Sequence, residues 1–198
     1  DLLVSARFAD PQGRTNAGQV SLSLGGEFGS AAVSRGTDAG ETLTGTSGAD
    51  RVVAAQGGDT LAGGGGADVL LGGQGDDTLS ITDALFSLLS GGNGSDTVRL
   101  EGDLGLDLAT LGLAHRIEGV EAFDLRAGGG SNSLMLSFGD VFSLSRSSNT
   151  LTIDGGTGDS FTVTGATGSS PTVEDGYLVV RLGQATLRIN ANITTINF

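Results

Sequence analysis

The chain has 198 residues, of which 36 are Gly, and its 23 acidic against 10 basic residues leave a net charge of −13. Cysteine is absent, as is lysine, so a disulfide framework, a thiolate nucleophile and a zinc–thiolate site are all excluded. The acid excess argues against nucleic acid and anionic membranes as partners and in favour of cations. No apolar run reaches the roughly 18 residues of a membrane span.

Residues 1–28 come first and differ from the rest. Strands are predicted at 2–4 and 20–24, the second alternating with period two, around a turn-rich loop at 10–16. Asp10-Pro11 falls inside that loop and reads as turn chemistry. The stretch DLLVSARFADPQGRTNAGQVSLSLGG resembles the back half of an FG-GAP repeat, the integrin-like β-propeller unit. The acidic calcium loop that precedes such a strand pair is missing, and one half-blade cannot close a propeller. The segment is therefore expected to extend its neighbour, to pair with another chain, or to belong with an upstream domain of a longer polypeptide.

Residues 29–44 lead into an array. GTDAGETLT (36–44) lies one nine-residue period ahead of the first regular unit, with Ala39 and Glu41 where Gly and Asp are expected. It is predicted to be a degenerate capping turn, as repeat arrays have at their ends.

Four regular units follow without a slip: GTSGADRVV (45–53), AAQGGDTLA (54–62), GGGGADVLL (63–71) and GGQGDDTLS (72–80). All follow G-G-x-G-x-D-x-U-x, where U is a large aliphatic residue. The sixth position is Asp50, Asp59, Asp68 and Asp77, and the eighth is Val52, Leu61, Leu70 and Leu79. After an apolar stretch at 81–90, GGNGSDTVR (91–99) restores the phase with Asp96 and Val98. A Gly/Asp-rich linker would not hold Asp and a large aliphatic in register through four units and recover them in a fifth.

This spacing suits calcium. Each unit predicts a tight turn followed by a short strand, so two units complete one turn of a flattened spiral. Acids two units apart then stack on one edge, Asp50 with Asp68 on one side and Asp59 with Asp77 on the other. Glu41 joins Asp59 at the start, and Asp96 joins the Asp77 edge. Small residues at Gly45, Gly48, Gly57, Gly63, Gly66, Gly72 and Gly75 let loop carbonyls turn inward beside the acids. Carboxylate plus carbonyl oxygen is the donor set of a hard cation, and the number of donors favours Ca²⁺ over Mg²⁺. The eighth-position residues, with Val53 and Leu71, are expected to form a narrow apolar core. So thin a core makes binding and folding one event. Ala54-Ala55 departs from the glycine pair and weakens the carbonyl arrangement of that turn.

Beyond residue 100 strands are predicted at 104–108, 117–125, 134–142, 151–154, 161–164, 177–182 and 185–189, with at most one short helical turn within 104–114. Asn132 and Asp159 sit in faint echoes of the repeat and read as turn residues rather than ligands. Asp76, Asp83 and Asp103 read as solvated. His115, the single histidine, has no Ser or Cys motif to serve, and no G-x-S-x-G, H-E-x-x-H or P-loop pattern is present.

The units at 44–99 resemble the hemolysin-type calcium-binding repeats of RTX proteins. RIEGVEAFDL (116–125), SNTLTIDGGTGDSFTVTG (148–165) and the ending NITTINF (192–198) resemble the region that follows such repeats in large secreted adhesins. The resemblance implies an all-β fold, a right-handed parallel β-roll holding several Ca²⁺ ions, with a β-rich cap over 100–198 that carries a type I secretion signal. It implies a non-catalytic module, secreted or at the cell surface, that folds on calcium outside the cell and displays the upstream domains of the same polypeptide. Two other readings stay open. One is a self-assembling surface-layer or filament subunit that associates through edge strands. The other is the tail of a secreted hydrolase or cytolysin.

Overall fold

A computed structural model describes residues 2–6, 20–24, 33–166 and 170–198. The predicted loop at 10–16, with Asp10-Pro11, lies outside the described residues. The chain forms two compact units, residues 1–81 with 85–96, and residues 82–84 with 97–198.

The first unit contains β1 (Leu2–Ala6), β2 (Val20–Leu24), β3 (Val33–Arg35), β4 (Thr42–Thr44), β5 (Arg51–Val53), β6 (Thr60–Ala62), β7 (Val69–Gln74), β8 (Thr78–Ile81) and β9 (Leu88–Asn93). From β3 onward successive strands alternate between two sheets, so strands two apart pair in parallel. Val52 lies opposite Leu70 and Leu70 opposite Leu89 in one sheet, while Leu43, Leu61 and Leu79 align in the other. This is a parallel β-roll. β2 pairs antiparallel with β3, and β1 antiparallel with β2, extending the first sheet.

The eighth-position ladder is the core: Val52, Leu61, Leu70 and Leu79 are fully enclosed, as is Leu89 of the insertion beside Leu70, and Leu43 of the leading unit is nearly so. The ninth-position residues Val53 and Leu71, expected inside, are instead only half-buried. Side chains of a strand alternate faces, so a residue following an inward one must point out. The insertion at 81–90 contributes Phe86 and Leu89 to the buried set and leaves Leu85 at 64% exposure.

The second unit runs β10 (Thr97–Leu100), β11 (Gly105–Asp107), α1 (Leu108–Leu111), β12 (Ile117–Glu118), β13 (Ala122–Asp124), β14 (Ser133–Ser137), α2 (Asp140–Leu144), β15 (Thr150–Asp154), β16 (Ser160–Thr164), β17 (Thr172–Glu174), β18 (Tyr177–Leu182), β19 (Ala185–Asn190) and β20 (Thr195–Asn197). It too has parallel sheets. β10, β13, β15 and β19 pair in sequence in one, and β11, β14, β16 and β20 in another. β18 and β17 add antiparallel strands beyond β19.

Two predicted strands are interrupted here. The one at 117–125 divides at Gly119, whose φ of +60° turns the chain. The one at 134–142 stops at Ser137, whose N–H donates to Asp140 Oδ2 at 2.8 Å, and α2 begins. The expected turn in 104–114 is α1, capped by Asp107, which accepts from Thr110 N at 2.9 Å, and ended by Gly112 at φ +60°. Phe123, Ile153, Phe161, Val163, Leu134 and Leu136 fill the interior, with Val141 and Leu144 of α2 enclosed as well.

Candidate metal centre

The sixth-position acids of the first unit are interior groups. Asp50, Asp59, Asp68, Asp77 and Asp96 are between 0% and 5% exposed, and Glu41 is 6% exposed. A carboxylate does not enter a protein interior without compensation. Part of it comes from a ladder of backbone donors. Glu41 N donates to Asp59 Oδ1 at 2.7 Å, Asp50 N to Asp68 Oδ1 at 2.8 Å and Asp59 N to Asp77 Oδ1 at 2.8 Å, each across 18 residues. Asp77 N donates to Asp96 Oδ1 at 2.9 Å across 19 residues. Two edges result, one carrying Asp50 and Asp68, the other Glu41, Asp59, Asp77 and Asp96. The insertion adds one residue to the period and leaves Asp96 in line.

Each rung satisfies one carboxylate oxygen. On the longer edge the Oδ2 atoms of Asp59 and Asp77 are buried and accept no hydrogen bond. Burial raises the pKa of both, and the neighbouring charge, Glu41 for Asp59 and Asp59 for Asp77, raises it further against the lowering effect of the backbone donor. The edge thus holds stacked negative charge with lone pairs directed at nothing. Among the described residues no three His, Cys, Asp or Glu side chains converge so that they could hold one metal ion between them. A cation on this edge would draw most of its oxygens from the backbone, as Ca²⁺ sites commonly do in part.

Glycine spacing makes the turns compact enough for that. Gly57, Gly66 and Gly75, at the fourth position, have φ of +103°, +101° and +117°. A Cβ on Gly66 would also stand 2.8 Å from the carbonyl oxygen of Gly48 in the preceding turn. At the first position, a Cβ on Gly63 or Gly72 would strike the carboxylate of Asp68 or Asp77, and one on Gly45 would come 2.6 Å from Asp50 Oδ2. Backbone and carboxylate oxygens are therefore packed together with no side chain between them. Ala54 and Ala55 break the pattern, and Ala55 is absent from the positive-φ positions.

Two polar groups at the start of the array were not singled out by sequence. Thr37 donates its N–H to Glu41 Oε2 at 2.7 Å and its hydroxyl to Glu41 Oε1 at 2.6 Å. Thr46 caps Asp50 Oδ2 in the same way with its N–H and with its hydroxyl at 2.8 Å. Both threonines follow the glycine that opens their unit, at 36–37 and 45–46, where later units have Ala or Gly. The Gly-Thr pair was the available signal. Among the residues read as solvated, Asp76 is exposed and accepts from Ser95 N at 2.9 Å, while Asp103 is exposed and accepts from Ser131 N at 2.8 Å.

The second unit repeats the ladder with a longer step. Leu104 N donates to Asn132 Oδ1 at 2.8 Å and Asn132 N to Asp159 Oδ1 at 2.9 Å, across 28 and 27 residues. Asn132 and Asp159, read from sequence as ordinary turn residues, are 1% and 4% exposed. His115 is exposed, in a short 3-10 turn at 114–116.

Residues 35–69 and 44–79 match the family model of the RTX calcium-binding nonapeptide repeat. These repeats bind Ca²⁺, and their number implies several ions. No curated protein matches the chain. Among solved structures it is similar to the extracellular lipase LipA from Serratia marcescens at 13% identity and a TM-score of 0.24. That match covers 83% of this chain and 39% of the lipase, so the chain spans well under half of that protein's length.

Proposed function

We propose that this chain is a calcium-binding module that folds outside the cell and supports the secretion and display of a larger, adhesin-like polypeptide. Asp50, Asp59, Asp68, Asp77 and Asp96 supply the carboxylates, and the turns containing Gly45, Gly48, Gly57, Gly63, Gly66, Gly72 and Gly75 supply the carbonyls. The observation that carries this reading is the pair of buried Oδ2 atoms on Asp59 and Asp77 that accept no hydrogen bond. A bound Ca²⁺ neutralises such oxygens and joins stacked turns. The protein's own part is to hold the acids in line through the backbone rungs, to keep side chains out with glycine, and to close the first turns with Thr37 and Thr46.

The thin core makes the ion a folding element. One enclosed aliphatic residue in each of β4 to β7 gives each of those strands only about 1.5–3 kcal/mol of apolar burial, so neutralising the stacked acids decides whether the array is ordered. Low cytosolic and high external calcium would then set where it folds, in keeping with the missing cysteines and the acid excess. Residues 1–28, with their FG-GAP likeness, would belong to the displayed side of the protein. Among the described residues no helix is long and apolar enough to cross a membrane.

Calorimetry and far-UV circular dichroism of the full chain test this. Titration with calcium should show saturable binding of several ions together with a gain of β signal. An unchanged spectrum and no heat would overturn it. The double variant Asp59→Asn, Asp77→Asn should lose part of the stoichiometry. A host carrying a one-step type I exporter should release the intact chain into the medium, and retention would remove the secretion half of the reading.

A further inference from the structure

The second unit contains a rung whose chemistry is complete without a cation. Asn132 is buried, and its side-chain Oδ1 accepts from Leu104 N at 2.8 Å. Its Nδ2 donates to Leu125 O at 2.7 Å, with longer contacts to Ala127 O at 3.4 Å and Leu100 O at 3.5 Å. The next member, Asp159, accepts from Asn132 N through Oδ1 at 2.9 Å and from Gly156 N through Oδ2 at 2.8 Å. Both oxygens of this carboxylate are used, whereas the Asp59 and Asp77 carboxylates each leave one buried oxygen unused.

We infer that the Asn132 carboxamide does in the second unit what a cation does in the first. It gathers inward-facing carbonyls from separate segments, using amide N–H donors instead of positive charge. Asn and Asp have the same shape, and their Oδ1 atoms can serve the same backbone rung. They differ at the second polar atom, an NH₂ donor in one and an acceptor in the other. An ionised aspartate at 132 would face the carbonyls of Leu125, Ala127 and Leu100 as one more acceptor, a set that needs a cation or a bound proton to hold it together. Asparagine removes that need. The second unit therefore keeps its fold in the absence of calcium, and the chain combines a calcium-dependent array with a calcium-independent one built on the same ladder. This inference does not depend on the ion count or export role of the first unit.

Hydrogen exchange of the full chain, read by mass spectrometry in chelator and in millimolar calcium, tests it. Residues 133–137 and 160–164 should stay protected in chelator, with rates changed less than about twofold by calcium, a difference below that of one hydrogen bond. If their protection is lost in chelator, the inference fails. Asn132→Asp keeps the shape and the Oδ1 acceptor and removes only the donors. In chelator it should lose about tenfold or more in protection over 133–137, the scale of a buried polar set left unpaired. Asn132→Asp with wild-type protection in chelator would also overturn the inference. If the variant proves too unstable to purify, the wild-type comparison still decides.

Discussion

The two units solve one problem with different periods. In the first, a backbone N–H reaches the acid 18 residues on, and β4, β5, β6 and β7 each place one aliphatic residue inside. In the second, the step is 27 or 28 residues, and the longer excursion brings in Phe123, Phe138 and a short helix with Val141 and Leu144. The ladder itself is the same. What differs is how much apolar surface each turn encloses and whether the polar atoms at the turn are satisfied from within. The short turns enclose less apolar surface, and at Asp59 and Asp77 they leave a buried carboxylate oxygen without a donor. The long turn encloses more and closes on an asparagine.

The sharpest separation should come from core truncation. Phe161→Ala should cost about 3–5 kcal/mol in denaturant melts, equally in calcium and in chelator. Leu70→Ala should cost about 2–5 kcal/mol in calcium and register no transition in chelator at neutral pH, where the proposed calcium dependence would leave its array unfolded. Equal calcium sensitivity of the two variants would erase the distinction between the units.

Glycine substitutions come next. Gly66→Ala meets a positive φ and the Gly48 carbonyl oxygen at 2.8 Å, while Gly112→Ala meets a positive φ and open space. The second should cost only the left-handed penalty of about 1–2 kcal/mol. The first should cost more and weaken calcium binding in a titration.

Acidity should separate the units by sign. The folded-state pKa values of Asp59 and Asp77 are raised above 3.8. Without calcium, the folded array binds more protons than the unfolded chain across that interval. Its stability is then greatest below 3.8 and falls as pH rises through the raised folded values. With calcium the slope reverses, because protonating the ligands releases the ion. Circular dichroism across the carboxylate range, in chelator and in calcium, checks both slopes.

The smallest effect belongs to the exposed pair of the second unit. Arg181 holds Glu174 through two hydrogen bonds of 2.7 Å each and, with a further hydrogen bond from the Thr172 hydroxyl, lowers its pKa from 4.5 to about 2. A lowered folded value gives stability that is present above 4.5 and lost as pH falls toward about 2. Arg181→Ala should remove that pH dependence and change little at neutral pH, where exposed pairs contribute little. NMR titration of Glu174 would show its pKa return toward 4.5.

Much of the first unit was legible as a string. The nine-residue period placed the acids of the two edges and the inward eighth-position ladder, because each strand repeats its neighbour and partners stand at a fixed offset. The insertion at 81–90 did not hide Asp96, since it adds one residue to one turn. The same reading erred at Val53 and Leu71, where apolar character was taken for burial and the alternation of strand faces decided otherwise.

The second unit was far less legible. Its partners stand 27 and 28 residues apart across turns of unequal content, so no period links Leu104, Asn132 and Asp159. Sequence by itself determined that this chain is an acidic, glycine-turned, parallel β repeat with stacked carboxylates. Only the tertiary structure decided which polar atoms are left without a partner and which are satisfied. A carboxylate or a carboxamide is read in the string as a residue type, but its need for a cation depends on whether donors reach it in space. At Asn132 and Asp159 they do, and at the Oδ2 atoms of Asp59 and Asp77 they do not.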